Sequence, residues 1–280
     1  MLYVVATPIG NLGDISRRAV DVLSTVDIVA AEDTRRCRAL LSHLGISRRL
    51  VAYHDHSDER KESELLTELK RGRSIALVAD AGTPLISDPG FRLVRAARAA
   101  GLDVVCIPGP CAAIAALSVA GLASDRFVFE GFLPARAAAR RARLSALARE
   151  QRTLVFYESP RRVLEMFEDL EAAFGATRPA VLARELTKIH ETLIQGTVAD
   201  LRGRIAGDPE QQLGEIVVLV AGAPESSDGR ADVDGAHVLR SLLPRMPLSD
   251  AVDCAVEITG LPRNALYREA LALRGTGDGR

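Results

Sequence analysis

Strand and helix patterns alternate through the first 120 residues of the chain. Short apolar runs bounded by turn residues are typical of buried parallel strands, and their alternation with helices is typical of βα units. The pattern therefore predicts an α/β domain with a doubly wound parallel sheet. The strands are expected at residues 2–6, 27–31, 50–53, 75–79 and 104–107.

The loops after these five strands are unusual for simple turns, and in chain order they read TPIGN, AEDTR, HDHS, DAGTP and PGPCA. Parallel strands end at one edge of a sheet, where open α/β sheets bind ligands. The stretch SIALVADAGTPLISDPGF at residues 74–91 combines carboxylates, hydroxyls and two glycines. Taken alone, it also fits an ordinary βα turn. Five such loops on one edge favour a site for a polar small molecule.

The chain after residue 120 follows a different order. Residues 121–222 are richer in strands, with fewer helices between them, which predicts a second α/β domain of α+β type with a mixed sheet. A Gly-, Ser- and Asp-rich linker then precedes three short helical patterns, two of them joined by a Gly-containing turn as in a helix-turn-helix. Most helical hairpins bind no nucleic acid, so nucleic-acid contact is one of two interpretations. Three domains are predicted, at residues 1–120, 121–222 and 236–275.

Composition and charge exclude several protein classes. Lys and Arg number 36 against 37 Asp and Glu, a net charge of −1, so any nucleic-acid contact must come from local patches. No apolar run approaches the ~18 residues of a membrane span, and no basic region precedes the strand-like YVVA near the amino terminus. The four cysteines form no CxxC pair, so neither a zinc ribbon nor a disulfide framework is indicated. We therefore expect a cytoplasmic protein without a metal.

Eight motifs in chain order carry a family resemblance. They are TPIGN at 7–11, AEDTR at 31–35, HDH at 54–56, DAGTPLISDPG at 80–90, PGPCA at 108–112, SDRFVFEGFLP at 124–134, FYESP at 156–160 and ARELTK at 183–188. Together they resemble the tetrapyrrole methylase superfamily, and within it the branch of ribosomal RNA small-subunit methyltransferases. The resemblance extends to NALY at 264–267.

That resemblance implies a fold and an activity. The fold is two α/β domains with the methyl donor in the cleft between them, usually in a homodimer. The donor implied is S-adenosylmethionine. The reaction implied is 2′-O-methylation of the ribose of a cytidine in the decoding region of 16S rRNA, within the small ribosomal subunit.

The resemblance also implies the donor-binding residues, carried over motif by motif. Those from the first domain are Pro8, Ile9, Gly10, Asp80, Gly82, Thr83, Pro84, Asp88, Pro108, Gly109, Pro110, Cys111 and Ala112. Those from the second domain are Tyr157, Glu158, Ala183 and Leu186. Two positions depart from the superfamily pattern. Thr83 stands where an Asp is usual, which leaves open whether Asp80 meets the donor instead, and Cys111 replaces a hydroxyl residue and is expected to be a small wall residue.

A ribose hydroxyl is a weak nucleophile at neutral pH, so a nearby base that accepts its proton would help the reaction. The sequence does not choose among the candidates, which are Glu32, Asp33, His54, Asp55, His56, Glu185 and Lys188. The two acidic residues at 32 and 33 would also fit a helix N-cap. The HDH triplet resembles half of a metal site, but no third ligand is evident, so a structural or RNA-facing loop is the preferred interpretation.

RNA would be held by local positive charge, because arginine makes bidentate phosphate contacts and stacks on bases. The predicted RNA-binding residues are Arg35, Arg36, Arg38, Arg136, Arg140, Arg141 and Arg143. Each run would also fit a solvated helix face. Two other functions compete with RNA methylation. One is methylation of a tetrapyrrole or another small molecule, and the other is a non-catalytic RNA-binding assembly factor.

Overall fold

The computed structural model describes residues 1–54, 59–224 and 235–275. The chain divides into two compact units, Met1–Ala223 and Pro224–Arg280. The predicted division of the first unit near residue 120 stays a prediction. Among the described residues, no helix combines the length and the apolar character that crossing a membrane requires.

The first unit begins with a five-stranded sheet. Every strand pair is parallel, and the spatial order is β3-β2-β4-β1-β5. The strands are β1 (Leu2–Val5), β2 (Ile28–Ala31), β3 (Arg49–Ala52), β4 (Ile75–Val78) and β5 (Val104–Ile107). The parallel sheet expected from the alternating pattern is therefore confirmed.

Helices cover both faces of this sheet. They are α1 (Arg17–Thr25), α2 (Thr34–His43), α3 (Glu59–Lys70) and α4 (Phe91–Ala99). The first two pack on one face, where Ala76 and Val78 of β4 point. The other two pack on the opposite face, against Ile75 and Leu77 of the same strand. Successive side chains of a strand point to opposite faces of the sheet. Because helices cover both faces here, every residue of β4 is buried, and the strand is apolar throughout.

A serine caps the start of α1. Asp14 lies before it in a 3₁₀ turn with Leu12, and Ser16 is the N-cap of α1. The Ser16 hydroxyl accepts the Ala19 N–H at 3.1 Å. Ser is as good a cap as Asp, and the turn before it decides which of them stands in the capping position.

A second sheet follows in the same unit, with the order β6-β7-β10-β8-β9. The β6–β7 pair is parallel and the other pairs are antiparallel, which confirms the predicted mixed sheet. The strands are β6 (Phe127–Phe132), β7 (Thr153–Glu158), β8 (Pro179–Arg184), β9 (Thr192–Thr197) and β10 (Ile216–Val220).

Each face of the second sheet packs against helices. The helices between and after its strands are α6 (Ala137–Leu147), α7 (Val163–Phe174) and α8 (Val198–Gly207), and they bury the face that carries Phe156 and Leu182. The opposite face, with Val155, Ala183 and Val217, packs against α5 (Ala112–Val119). Because α5 follows the last strand of the first sheet, this one helix connects the two sheets.

The described part of the second unit, residues 235–275, forms three helices, α9 (Gly235–Leu242), α10 (Leu248–Thr259) and α11 (Arg263–Gly275). Their small core includes Leu239, Val252 and Leu266. Gly260 ends α10 in the left-handed conformation, with φ +69°, as expected for a C-terminal cap. At its other end, α10 begins directly after Pro247.

Arg140 is a structural residue rather than an RNA contact, which corrects the sequence prediction. Its side chain is only 3% exposed. The guanidinium lies 2.6 Å from the Asp169 carboxylate and 3.1 Å from Glu165, both on α7. Arg140 lies on the buried face of α6 with Leu144 and Leu147. Which arginine of the helix is buried depends on which face meets the neighbouring helix.

Replacement of Arg140 by Ala should destabilise the first unit by ~3–5 kcal/mol, because the buried Asp169 carboxylate would lose its partner. Arg141→Ala is the matched control on the same helix. That side chain is 58% exposed and lies 3.8 Å from Asp169, so its loss should cost no more than ~1 kcal/mol. Urea unfolding followed by circular dichroism measures both. Equal losses would contradict the structural role of Arg140.

Candidate active site

A cavity of about 410 Å³ lies in the first unit, at the carboxyl edge of the first sheet. Its floor comes from the loops after β1, β2 and β4, and its opposite wall comes from β7, β8 and β10 of the second sheet. Small-molecule sites commonly have volumes of ~300–1,000 Å³ and occur at such edges. The structure therefore has a cavity at the sheet edge where polar loops were predicted to meet.

Most of the residues carried over as donor-binding line this cavity. Those that line it are Ile9, Asp80, Gly82, Thr83, Asp88, Cys111, Ala112, Tyr157, Glu158, Ala183 and Leu186. The remaining members of that set belong to the same loops but do not line it. These are Pro8, Gly10, Pro84, Pro108, Gly109 and Pro110. Proline and glycine here shape the loops rather than contribute side chains to the wall.

The sequence prediction also missed part of the wall. Gly214, Glu215, Ile216 and Val217 line the cavity because β10 lies between β7 and β8. That insertion of the last strand between two earlier ones left no signal in the sequence. Further lining residues come from stretches that were quoted as motifs but not assigned a role, and they are Ala81, Ile86, Ser87, Phe132, Ser159 and Pro160.

Residues 80–83 connect three of the neighbouring loops. The Asp80 carboxylate accepts the backbone N–H of Asp33 at 2.8 Å, and it lies 3.4 Å from the Arg36 guanidinium. Gly82 and Thr7 exchange two backbone hydrogen bonds, of 2.9 and 3.1 Å. These bonds join the loop after β4 to the loops after β1 and β2.

A third connection runs to the loop after β5. The Thr83 hydroxyl donates to the Pro110 carbonyl at 2.9 Å. At this position a carboxylate, the usual residue of the superfamily pattern, would bring no proton to donate to that carbonyl. Thr83 therefore stabilises the loop, while Asp80 supplies the carboxylate at this part of the cavity wall.

The backbone of this loop is strained. Leu85 and Ser87 adopt left-handed conformations, with φ +74° and +64°, although neither is glycine. Such conformations cost about 1–3 kcal/mol each and persist only where surrounding contacts impose them. Strain concentrated beside a cavity is typical of binding and catalytic loops.

Asp33 and Glu32, two of the proton-acceptor candidates, occupy different positions. Asp33 is the N-cap of α2 and accepts the Arg35 N–H at 2.8 Å. Its other oxygen pairs with the Arg35 guanidinium at 2.9 Å. The hydrogen bonds from Arg35 lower the pKa of the Asp33 carboxyl from 3.8 to about 2. Glu32, by contrast, lines the cavity.

Glu185 and Lys188 form one ion cluster with Glu215 beside the cavity. The Lys188 ammonium lies 2.8 Å from Glu185 and 2.9 Å from Glu215. Burial acts to lower the pKa of Lys188, but the hydrogen bonds from the two carboxylates outweigh it and the pKa is raised. Lys188 therefore stays protonated at neutral pH, which disfavours it as a proton acceptor. Burial acts to raise the pKa of Glu185, but Lys188 lowers it overall.

Tyr157 and Cys111 form part of the wall near α5. The Tyr157 hydroxyl accepts the Ala113 N–H at 3.1 Å, in the first turn of that helix. Burial raises the pKa of the Tyr157 phenol above its ordinary value, so it stays neutral. Cys111 is the residue that precedes α5 and lies half-buried in the wall, as expected for a small wall residue.

Glu158 lines the cavity, but its carboxylate is engaged elsewhere. The side chain is fully buried and lies 2.9 Å from the Arg162 guanidinium. Its other oxygen accepts the Ser159 N–H at 2.7 Å. These bonds shape the turn after β7, so Glu158 contributes to the wall through the position of that turn.

Of the HDH triplet, the structure describes His54 alone. His54 is exposed after β3. Asp55 and His56 lie outside the described residues. Over residues 1–54, 59–224 and 235–275, no cluster of three or more His, Cys, Asp or Glu could hold a metal ion.

The remaining predicted RNA-binding arginines are exposed. Arg36 lines the cavity and is 67% exposed. Arg35 is 86% exposed and pairs with Asp33, and Arg143 pairs with Glu130 at 2.7 Å. Arg38, Arg136 and Arg141 are also exposed.

Comparison with known proteins identifies the class of this fold and cavity. The family model for Tetrapyrrole (Corrin/Porphyrin) Methylases matches residues 1–202. Two solved structures share the fold. Uroporphyrin-III-C-methyltransferase from Thermus thermophilus has a TM-score of 0.57 at 22% identity, covering 79% of this chain and 93% of that one. The methyltransferase CobJ has a TM-score of 0.59 at 20% identity, covering 79% and 94%. The chain belongs to the tetrapyrrole methylase family.

Curated relatives narrow this assignment. The protein named ribosomal RNA small subunit methyltransferase I of Xylella fastidiosa strain Temecula1 is 54% identical, covering 95% of this chain and 97% of its own. Proteins of the same name from Pseudomonas aeruginosa and Escherichia coli O157:H7 are 53% and 50% identical, each over 98% of this chain and over 98% and 96% of their own. The model for the RsmI C-terminal HTH domain matches residues 230–274. Within the wider family, the chain is thus a member of the ribosomal RNA small subunit methyltransferase I family, and the predicted resemblance is confirmed.

Gly82→Ala should weaken donor binding by about tenfold. Gly82 has φ +83°, and an added Cβ would lie 3.3 Å from Ile9 Cγ2 in the cavity wall. Gly72→Ala is the matched control, since its φ is +84° with open space around the site. Both variants place a Cβ on a residue with a left-handed backbone, so the backbone strain is the same in each. A difference in donor affinity would therefore report the added contact in the cavity. Isothermal calorimetry with S-adenosylmethionine measures the difference, and equal affinities would remove Gly82 from the site.

Arg35→Ala should raise the pKa of Asp33 from about 2 toward 3.8, because the hydrogen bonds from the guanidinium would be lost. With a folded pKa below the unfolded value, Asp33 stabilises the folded state above pH ~4, and this contribution is lost as pH falls toward 2. NMR titration of the carboxyl carbon measures the change. Arg38→Ala should leave the titration midpoint of Asp33 unaltered. A shift of equal size in that variant would contradict the assignment of the lowered pKa to Arg35.

Proposed function

We propose that this protein transfers the methyl group of S-adenosylmethionine to the ribose 2′-hydroxyl of a cytidine in the decoding region of 16S rRNA. The observation that carries the proposal is the near full-length similarity to proteins named for small-subunit ribosomal RNA methylation. The cavity at the sheet edge supports it, because it offers a donor site with the exposed Arg36 in its lining.

The cavity wall fits the donor chemically. Ala183, Leu186 and Val217 offer an apolar surface for the adenine ring, and Asp80 and Asp88 offer carboxylates for hydroxyl and ammonium groups. The donor, when bound, supplies a methyl group that is already activated by its sulfonium. The protein's contribution is then mainly to hold and align the two reactants and to exclude water.

Proton removal from the ribose hydroxyl is assigned to the cavity side of the loop after β2. Among the acceptor candidates placed by the structure, Glu32 lines the cavity, whereas Asp33 caps α2 and Lys188 is a stable cation. We therefore infer that Glu32 accepts the proton or orients the water that does. A carboxylate in the wall of the donor cavity is suited to this step.

RNA binding is assigned to the exposed arginines of the predicted set. Arg36 is the one that also lines the wall, so it suits the phosphate next to the target ribose. The outer contacts are assigned to Arg35, Arg38, Arg136, Arg141 and Arg143. The helical unit at residues 236–275 is proposed as a further RNA contact. A homodimer in the cytoplasm, with the donor between domains 1–120 and 121–222, completes the proposal.

A tetrapyrrole substrate is the alternative enzyme reaction that the fold permits. The match of residues 230–274 to a domain associated with the ribosomal RNA enzyme favours RNA over a small molecule. The arginine-rich helix α6 favours RNA only through its exposed arginines, because Arg140 pairs with Asp169.

The test is incubation with labelled donor and small subunits that lack the modification, followed by nuclease mapping. We expect one methylated cytidine in the decoding region and no label when its ribose is 2′-deoxy, since only the hydroxyl accepts the methyl group. Transfer to the deoxy substrate would exclude the ribose assignment. Tight donor binding without any transfer to RNA would favour methylation of a small molecule. Absence of donor binding would favour a non-catalytic assembly factor.

A further inference from the structure

Phe132 is an exposed aromatic side chain in the cavity wall. It is the last residue of β6, the edge strand of the second sheet, and its side chain is 56% exposed. Among the described residues of the first unit, the other exposed large aromatic is Phe91, which does not line the cavity. Instead, Phe91 carries the Arg95 guanidinium over its ring at 5.4 Å.

A β-bulge directs Phe132 toward the cavity. The register between β6 and β7 shifts between Phe129 and Gly131, so Phe129 pairs with Val155 and Phe132 with Tyr157. Residues three apart in a regular strand point to opposite faces, but the extra residue of the bulge returns Phe132 to the face of Phe129. That face carries Tyr157 and the cavity.

The bulge depends on Gly131. Its φ of +63° is left-handed, and an added Cβ would lie 2.7 Å from Ser87 Oγ in the strained loop after β4. A glycine is therefore required both by the backbone and by the close approach of that loop. The aromatic ring at position 132 is thus placed by a dedicated local structure, not by chance exposure.

The ring is supported from one side and open on the other. Its centroid lies 5.7 Å from that of Tyr157, with an interplanar angle of 64°, an edge-to-face contact. Tyr157 is itself held by the Phe129 ring at 5.0 Å and by the Ala113 N–H. An aromatic face that is rigidly held and more than half exposed offers a stacking surface.

We propose that Phe132 stacks on the target nucleobase and holds it beside the donor cavity. This inference rests on the proposed RNA substrate. Proteins that act on single nucleotides of RNA commonly stack the unstacked base on an aromatic ring. The adenine of the donor is a poorer partner, because small ligands bury most of their surface, whereas this ring lies at the open side of the wall.

The experiment compares Phe132→Leu with Phe132→Tyr and Phe132→Trp, and with Phe91→Leu as the control for an exposed phenylalanine elsewhere. Methylation of unmodified small subunits gives KM for the subunit, and calorimetry gives Kd for S-adenosylmethionine. We expect Phe132→Leu to raise the subunit KM at least about fivefold, the lower end of what stacking of one base contributes. The Tyr and Trp variants should stay near wild type, and donor Kd should change less than twofold. Circular dichroism checks that each variant is folded.

The outcomes separate this inference from the proposed function. If wild type methylates RNA but Phe132→Leu has an unchanged subunit KM, the stacking role is wrong while the function stands. Weaker donor binding in Phe132→Leu at an unchanged subunit KM would instead place the ring on the donor adenine and overturn the inference. If Phe91→Leu raised the subunit KM equally, the change in Phe132→Leu would reflect the loss of exposed apolar surface in general, and the stacking role would be wrong. Absence of RNA methylation by wild type would count against the proposed function itself.

Discussion

The site depends on the hydrogen bonds of residues 80–83. Three loops that are distant in sequence would otherwise be independent turns at one sheet edge. Asp80 binds the backbone of the β2 loop, Gly82 pairs with the β1 loop, and Thr83 donates to the β5 loop. Hydrogen bonds to a charged acceptor are stronger than those between neutral groups, so the Asp80 contact contributes most. The cavity floor exists because these bonds act together.

The same contacts explain how the strained loop persists. Left-handed conformations at Leu85 and Ser87 are unfavourable by themselves, yet the loop is anchored before them by residues 80–83 and Ser87 itself lies close to Gly131. The second sheet uses a comparable solution, since the Lys188 ion cluster holds Glu185 in its left-handed conformation. Contacts within the protein thus hold residues beside both walls in unfavourable backbone conformations, and preorganisation of this kind reduces the entropy lost on binding.

Strands, helices and family were predictable from the sequence because their signals are local. Apolar runs of four residues such as IALV identify strands buried on both faces, and eight ordered motifs identify the family. Side-chain roles were less predictable. Asp33 could cap α2 or face a ligand, and only the direction of the chain after β2 decided for the cap. The sequence likewise placed Arg140 among surface arginines, although it pairs with Asp169 on a neighbouring helix.

By itself, the sequence determined the alternation of elements, the mixed character of the second sheet, and the loops that meet at one edge. The tertiary structure decided which residues line the cavity. Insertion of β10 between β7 and β8 brought Glu215 and Val217 into the wall, and one bulge turned Phe132 toward it. Strand order and bulge register depend on contacts between residues distant in sequence, and local periodicity carries no information about those contacts.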